Sequence, residues 1–97
     1  MRFGYHPDAL EEYAQAALFY EGREPGLGGE FTLAIEAGIQ SILEAPDRWP
    51  FLEGDIRRHL LRRFPYGILY TIERDLVLIV AIMHLSREPG CWRHRVS

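Results

Sequence analysis

The stretch HLSREPGCWRHR, residues 84–95, holds three arginines, two histidines, a tryptophan and the one cysteine of the chain. Guanidinium groups grip carboxylate or phosphate through paired, planar hydrogen bonds, and imidazole exchanges protons near neutral pH. A second basic run, Arg57, Arg58, Arg62 and Arg63, flanks a strand-like segment upstream. A sheet that gathers both sets on one side would build a cationic rim for an acidic protein surface or a nucleic acid. Metal-free RNA cleavage needs a base for the 2′-hydroxyl, cations for the crowded phosphate and an acid for the leaving oxygen. Arg58, His84 and Arg87 are the residues here that could supply them.

Each of these residues also has a structural reading. A histidine at the end of an apolar strand is commonly held by hydrogen bonds inside the fold, which suits His84. Arg87 can pair with Glu88 or with an acidic helix, and Trp92 can be a lid over the sheet edge or a platform for a base. His59, His84 and His94 do not match the compact spacing of a zinc site, so no metal and no cofactor are expected. Nothing in the sequence activates Cys91 as a nucleophile.

The elements that must position these residues fit one domain spanning residues 1–97. No apolar run approaches the roughly 20 residues of a membrane helix. The start MRFGYHPDALEEY lacks the apolar core of a secretory signal, and a single cysteine cannot close an internal disulfide, so the cytoplasm is the expected location. The net charge of −3 conceals two opposite halves. Residues 1–55 carry three arginines against eleven acidic residues, net −8, and residues 56–97 carry eight against three, net +5. Every cation is arginine, which suits two-point recognition of carboxylate or phosphate and is equally what a GC-rich genome produces.

Phe3 to Tyr5 reads as a short strand. His6-Pro7-Asp8 reads as a helix start, since proline tolerates the first helical position and acidic residues suit the positive end of the helix dipole. Leu10, Tyr13, Ala14, Ala17 and Phe19 to Tyr20 recur at helical spacing and predict the buried face of this first helix. The segment EPGLGG breaks it. Phe31, Ala34, Ile35, Gly38, Ile39, Ile42 and Leu43 then follow the i, i+3, i+4 series of a second helix that stops at Ala45-Pro46. Gly38 costs a helix about 1 kcal/mol relative to alanine and therefore predicts a close approach to the first helix or the sheet. After the linker PDRWPFLEGD, the segments Ile56 to Arg62, Tyr66 to Glu73 and Leu76 to Met83 predict three consecutive antiparallel strands. The last is apolar at nearly every position, as in a strand lying inside a sheet. The expected class is α+β in the order β-α-α-β-β-β, a helical hairpin packed on one face of a small, mostly antiparallel twisted sheet.

The series HPDALEEYAQAALFYE, APDRWP, RRHLLRRFPYGILYTI and AIMHLSREPGCWRHR, in this order, resembles the RelE/ParE superfamily, the toxins of type II toxin-antitoxin systems, and within it the ParE-like, plasmid-stabilisation type. The most specific parts are Phe64-Pro65-Tyr66 with Tyr70, and His84, Arg87, Pro89, Trp92 and Arg95. The resemblance implies a growth-inhibiting toxin neutralised by a cognate antitoxin whose helical and extended tail wraps it. It implies either DNA gyrase or the ribosome with its mRNA as target, and a homodimer or a toxin-antitoxin hetero-oligomer as assembly. Against the ribosome-dependent nucleases stand Gly67 where they carry an arginine, Trp92 where they often carry a tyrosine, and Arg58 where some carry a lysine. The favoured reading is a gyrase-type inhibitor whose target contacts are Arg57, Arg58, Arg62, Arg63, His84, Arg87, Trp92 and Arg95. An mRNA endonuclease, or a non-toxic relative that serves only as a binding module, is the alternative. The aromatic residues Tyr13, Phe19, Tyr20, Phe31, Tyr66 and Tyr70 are expected in the core, and any exposed together would point to an antitoxin groove.

Overall fold

A computed structural model of the chain describes residues 1–88 and 90–96. Pro89, part of the C-terminal motif, lies outside the described residues. The elements run β1 (Arg2–Tyr5), α1 (Pro7–Arg23), α2 (Leu27–Glu44), β2 (Phe51–Glu53), β3 (Ile56–Leu60), β4 (Tyr66–Glu73), β5 (Leu76–His84) and a short 3-10 turn at Arg93–Arg95. The five strands form one sheet in the order β1-β5-β4-β3-β2. Only β1 pairs in parallel, with β5; the other pairings are antiparallel. The α+β class, the helical hairpin and the interior place of β5 are as the sequence predicts. The short edge strand β2 is an addition to that prediction.

Local chemistry explains the helix limits. His6 caps α1 by accepting the Asp8 backbone N–H on Nδ1, and Pro7 supplies a helical φ in the first turn. Gly26, at φ 90°, turns the chain between the helices in a left-handed conformation that favours glycine. The Glu21 carboxylate accepts the freed N–H groups of Gly26 and Gly28, which closes the hairpin.

The hairpin covers one face of the sheet. Phe31, Ile35, Ile39 and Ile42 of α2 and Ala9 and Ala16 of α1 pack against Ile68, Tyr70, Val77, Ile79 and Ile82. Full burial of each large aliphatic side chain stabilises the fold by about 1.5–3 kcal/mol. Gly38 makes the predicted close approach: a Cβ there would lie 2.8 Å from Ile68 Cδ1 and 3.2 Å from the His59 ring. The register of α1 departs from the prediction. Ala9, Ala16, Tyr13 and Tyr20 face the core, whereas Leu10 and Phe19 are 52% and 55% exposed. Adjacent residues on a helix sit about 100° apart, so Phe19 and Tyr20 cannot share one face.

The opposite face has no helix. Ile56, Leu69, Val80, Ala81 and Met83 are covered there by the C-terminal tail, with Trp92 buried among them at 2% exposure. The two faces are set by a bulge in β5. Leu69 pairs with Ala81 and Tyr70 with Ile79, so Val80 is an extra residue, and Val80 and Ala81 both belong to the tail-covered face. Beyond the bulge the alternation is inverted, which turns Ile82 toward the helices and Met83 toward the tail.

Candidate functional site

The end of β5 and the tail after it form the candidate site. β1 pairs with β5 only as far as Ile79, leaving Val80–His84 without a strand partner on that side. Two side chains close this edge. Glu12 of α1 accepts the Ile82 N–H at 3.2 Å, and Arg95 donates to the Val80 carbonyl at 3.0 Å. Glu12 and Arg95 also bind each other through two bonds of 2.8 and 2.9 Å. Both are withdrawn from solvent, with side-chain exposures of 14% and 6%. The bulge thus creates loose backbone groups, and a buried ion pair satisfies them while tying the tail to α1. Bonding to Glu12 raises the Arg95 pKa against the opposing effect of burial.

This arrangement corrects part of the expected contact set. Arg95 is committed to the fold, and its guanidinium does not face solvent. Trp92 is a plug beneath the tail, 2% exposed. Arg57 donates to the backbone carbonyls of Asp47 at 3.0 Å and Trp49 at 2.6 Å and lies over the Phe51 ring, which makes it a clamp on the linker. Arg63 pairs with Glu30 of α2, and Arg62 is exposed with no carboxylate partner among the described residues.

Four expected residues share one pocket. Arg58, His84, Arg87 and the buried Trp92 line it, a space of about 150 Å³, together with Glu53, Gly67, Met83 and Arg93. Arg58 reaches it because its register partner Leu69 belongs to the tail-covered face, and its side-chain carbons lie over Gly67, 3.3 Å from where a Cβ would stand. The glycine at position 67 therefore makes room for Arg58. Arg58 has no carboxylate partner among the described residues. Arg87 is half exposed and 3.9 Å from Glu12.

His84 Nδ1 accepts the Ser86 backbone N–H at 3.0 Å and contacts the Ser86 hydroxyl at 2.7 Å. An N–H pointing at Nδ1 requires a lone pair there, so the neutral ring carries its proton on Nε2 and serves as a donor. Its face meets the Tyr66 ring edge-on at 5.2 Å. Sequence reasoning missed Glu12 and Arg93. Arg93 forms a two-point pair with Glu53, both bonds 2.6 Å, and this bonding holds the Glu53 carboxyl below its ordinary value. The excess of arginine in the tail was a visible signal for Arg93, whereas no local pattern marks Glu12.

A second feature adjoins the first. Phe19, Ala16, Tyr66, Ile82, His84 and Arg87 line an apolar groove of about 510 Å³ between α1 and the bare edge of β5. Phe19, expected in the core, lines this groove at the surface, whereas Tyr66 borders it while packing against the core as expected. Among the described residues no three His, Cys, Asp or Glu side chains gather as metal ligands, and no helix is long and apolar enough to cross a membrane.

The geometry can be set beside known proteins. A chain of the solved chromosomal ParDE TA system from P. aeruginosa superposes with a TM-score of 0.77 at 14% identity, covering 87% of this chain and 95% of that one. At that identity the likeness establishes a common fold. No curated protein matches the sequence. The profile of the family described as "ParE toxin of type II toxin-antitoxin system, parDE" matches residues 4–89, from the end of β1 through both helices, the sheet and the first turn of the tail. The chain belongs to the ParE toxin family of type II toxin-antitoxin systems.

Proposed function

We propose that this toxin arrests growth by binding a protein target, DNA gyrase, through the rim formed by Arg58, His84 and Arg87, and that a cognate antitoxin blocks it. The observation that carries the reading is the pocket where these side chains converge, with Arg58 free of any carboxylate among the described residues. The same pocket is poorly equipped to cut RNA. Guanidinium groups are already protonated and have no lone pair with which to take up a proton, His84 presents a donor, and Glu53 is engaged and made less basic by Arg93. What remains is a set of fixed donors and cations suited to carboxylates on a protein surface.

The groove beside Phe19 is the seat we assign to the antitoxin. It is apolar at its floor, lies beside the stretch of β5 that lacks a strand partner and shares His84 and Arg87 with the rim, so an amphipathic tail seated there would cover the working face. Purified toxin added to gyrase supercoiling and to a translating mRNA tests the assignment. Loss of supercoiling with intact mRNA supports it; ribosome-dependent cleavage with unaffected supercoiling overturns it. A Phe19→Glu toxin should remain toxic and escape the antitoxin.

A further inference from the structure

A second cationic concavity lies on the other side of β3. His59, in register with Ile68 of the helix-side core, faces α2 at Gly38, while its neighbour Arg58 faces the tail. There a groove of about 510 Å³ is bordered by Arg48, Trp49, His59, Arg62 and Arg63, and none of its lining residues is acidic. Arg48 and Arg62 have no carboxylate partner among the described residues, and only Arg63 is shared with Glu30.

The wall that presents Arg48 and Trp49 is held in place. The Tyr70 hydroxyl donates to the Pro46 carbonyl at 2.5 Å, and Arg57 ties down the carbonyls of Asp47 and Trp49. Trp49 stands edge-on against His59 with ring centroids 4.2 Å apart, and Arg48 lies over the indole at 5.7 Å. The indole Nε1–H and His59 Nδ1 are buried without a protein partner.

We propose that this groove between α2 and β3 is a second binding site, separate from the rim, that takes a phosphate-bearing ligand. Two arginines without a carboxylate partner and a third shared with Glu30, bordering one groove, match an anion with several charged oxygens better than a single carboxylate. The aromatic wall and the small residues of α2 around Gly38 leave room for a planar base beside the phosphate. The phosphate can belong to a free nucleotide or to a nucleic-acid strand, and the proposal does not depend on gyrase being the target.

The two tryptophans give the test. Trp49 lines the groove, whereas Trp92 is buried on the opposite face and acts as an internal control. Nitrogen-15 spectra of the purified protein are recorded during titration with pyrophosphate, a short oligothymidylate and a glutamate peptide. The proposal expects a saturable shift of the Trp49 indole signal with a phosphate-bearing probe while Trp92 stays fixed. Binding should weaken about tenfold or more in Arg48→Ala/Arg62→Ala. A response to both phosphate probes identifies the phosphate group as sufficient, and a response to the oligonucleotide alone identifies a strand. The exposed Arg62→Glu variant reports the same loss without touching the loop. A Trp49 signal that is indifferent to both phosphate probes, that moves as much with the glutamate peptide, or that responds unchanged in the variants overturns the proposal.

Discussion

The two faces of the sheet are covered by different means. The helix side is sealed by periodic side chains from two long helices, so many residues share the work. The other side is sealed by the C-terminal tail, in which Trp92 fills the space and one ion pair, Glu12 with Arg95, fastens the end. A face covered by many equivalent contacts tolerates the loss of one; a face covered by a plug and a latch does not. The contrast also sorts the arginines. Arg95 is structural, whereas Arg58 has no carboxylate partner among the described residues.

The sharpest way to break this comparison is Trp92→Ala. Removing a plug this deeply buried should cost about 3–5 kcal/mol in urea unfolding, against about 0.5–1.5 for Ile39→Val on the helix side. Equal small losses would mean that the tail merely drapes over the sheet. Glu12→Ala follows at about 3 kcal/mol, since it strands a buried guanidinium and the Ile82 N–H together. Replacing both partners, Glu12→Leu with Arg95→Met, should not restore stability, because the Val80 carbonyl and the Ile82 N–H would still lack partners. Gly38→Ala should cost about 1–2 kcal/mol, with the displaced Ile68 and His59 outweighing the gain in helix propensity.

A smaller effect is a slope with pH. Burial holds the His59 imidazole below its ordinary value, so the unfolded chain takes up the proton first as pH falls. The contribution is complete above about pH 6.5 and is lost as pH drops from there toward the lower folded-state pKa. Stability measured between pH 5 and 8, with His59→Gln subtracted, should show that loss on the acid side. A difference that is flat with pH would place His59 in solvent.

Much of the fold could be read from residue order because it rests on period. The α2 series from Phe31 to Leu43 and the apolar run of β5 follow directly from burial on one face and on two. What escaped reading has a physical cause in each case. β2 is three exposed residues with no alternation to detect. In α1 the pair Phe19-Tyr20 offers two large aromatics to one core position, and only packing decides between them. The bulge at Val80 is invisible in a stretch where every residue is apolar, yet it determines which way His84 points. The site was half legible: arginine and histidine enrichment located the rim, but burial of Arg95 depends on Glu12, a partner 83 positions away in sequence. Tyr70 shows the same limit. Its hydroxyl, kept protonated by burial that raises its pKa to about 12, pins the linker at Pro46, a contact that no local spacing announces.

The smallest expected effect on folding accompanies the largest on function. Arg58 has no carboxylate partner among the described residues and the half-exposed Arg87 only a long contact of 3.9 Å to Glu12, so Arg58→Ala/Arg87→Ala should unfold within about 1 kcal/mol of the parent. Inhibition of gyrase supercoiling by this double variant is therefore the most direct measurement of whether the rim is the working face. The account predicts a folded protein whose inhibition falls at least about a hundredfold, the loss of two charge-assisted contacts. A folded double variant that inhibits as well as its parent would contradict it.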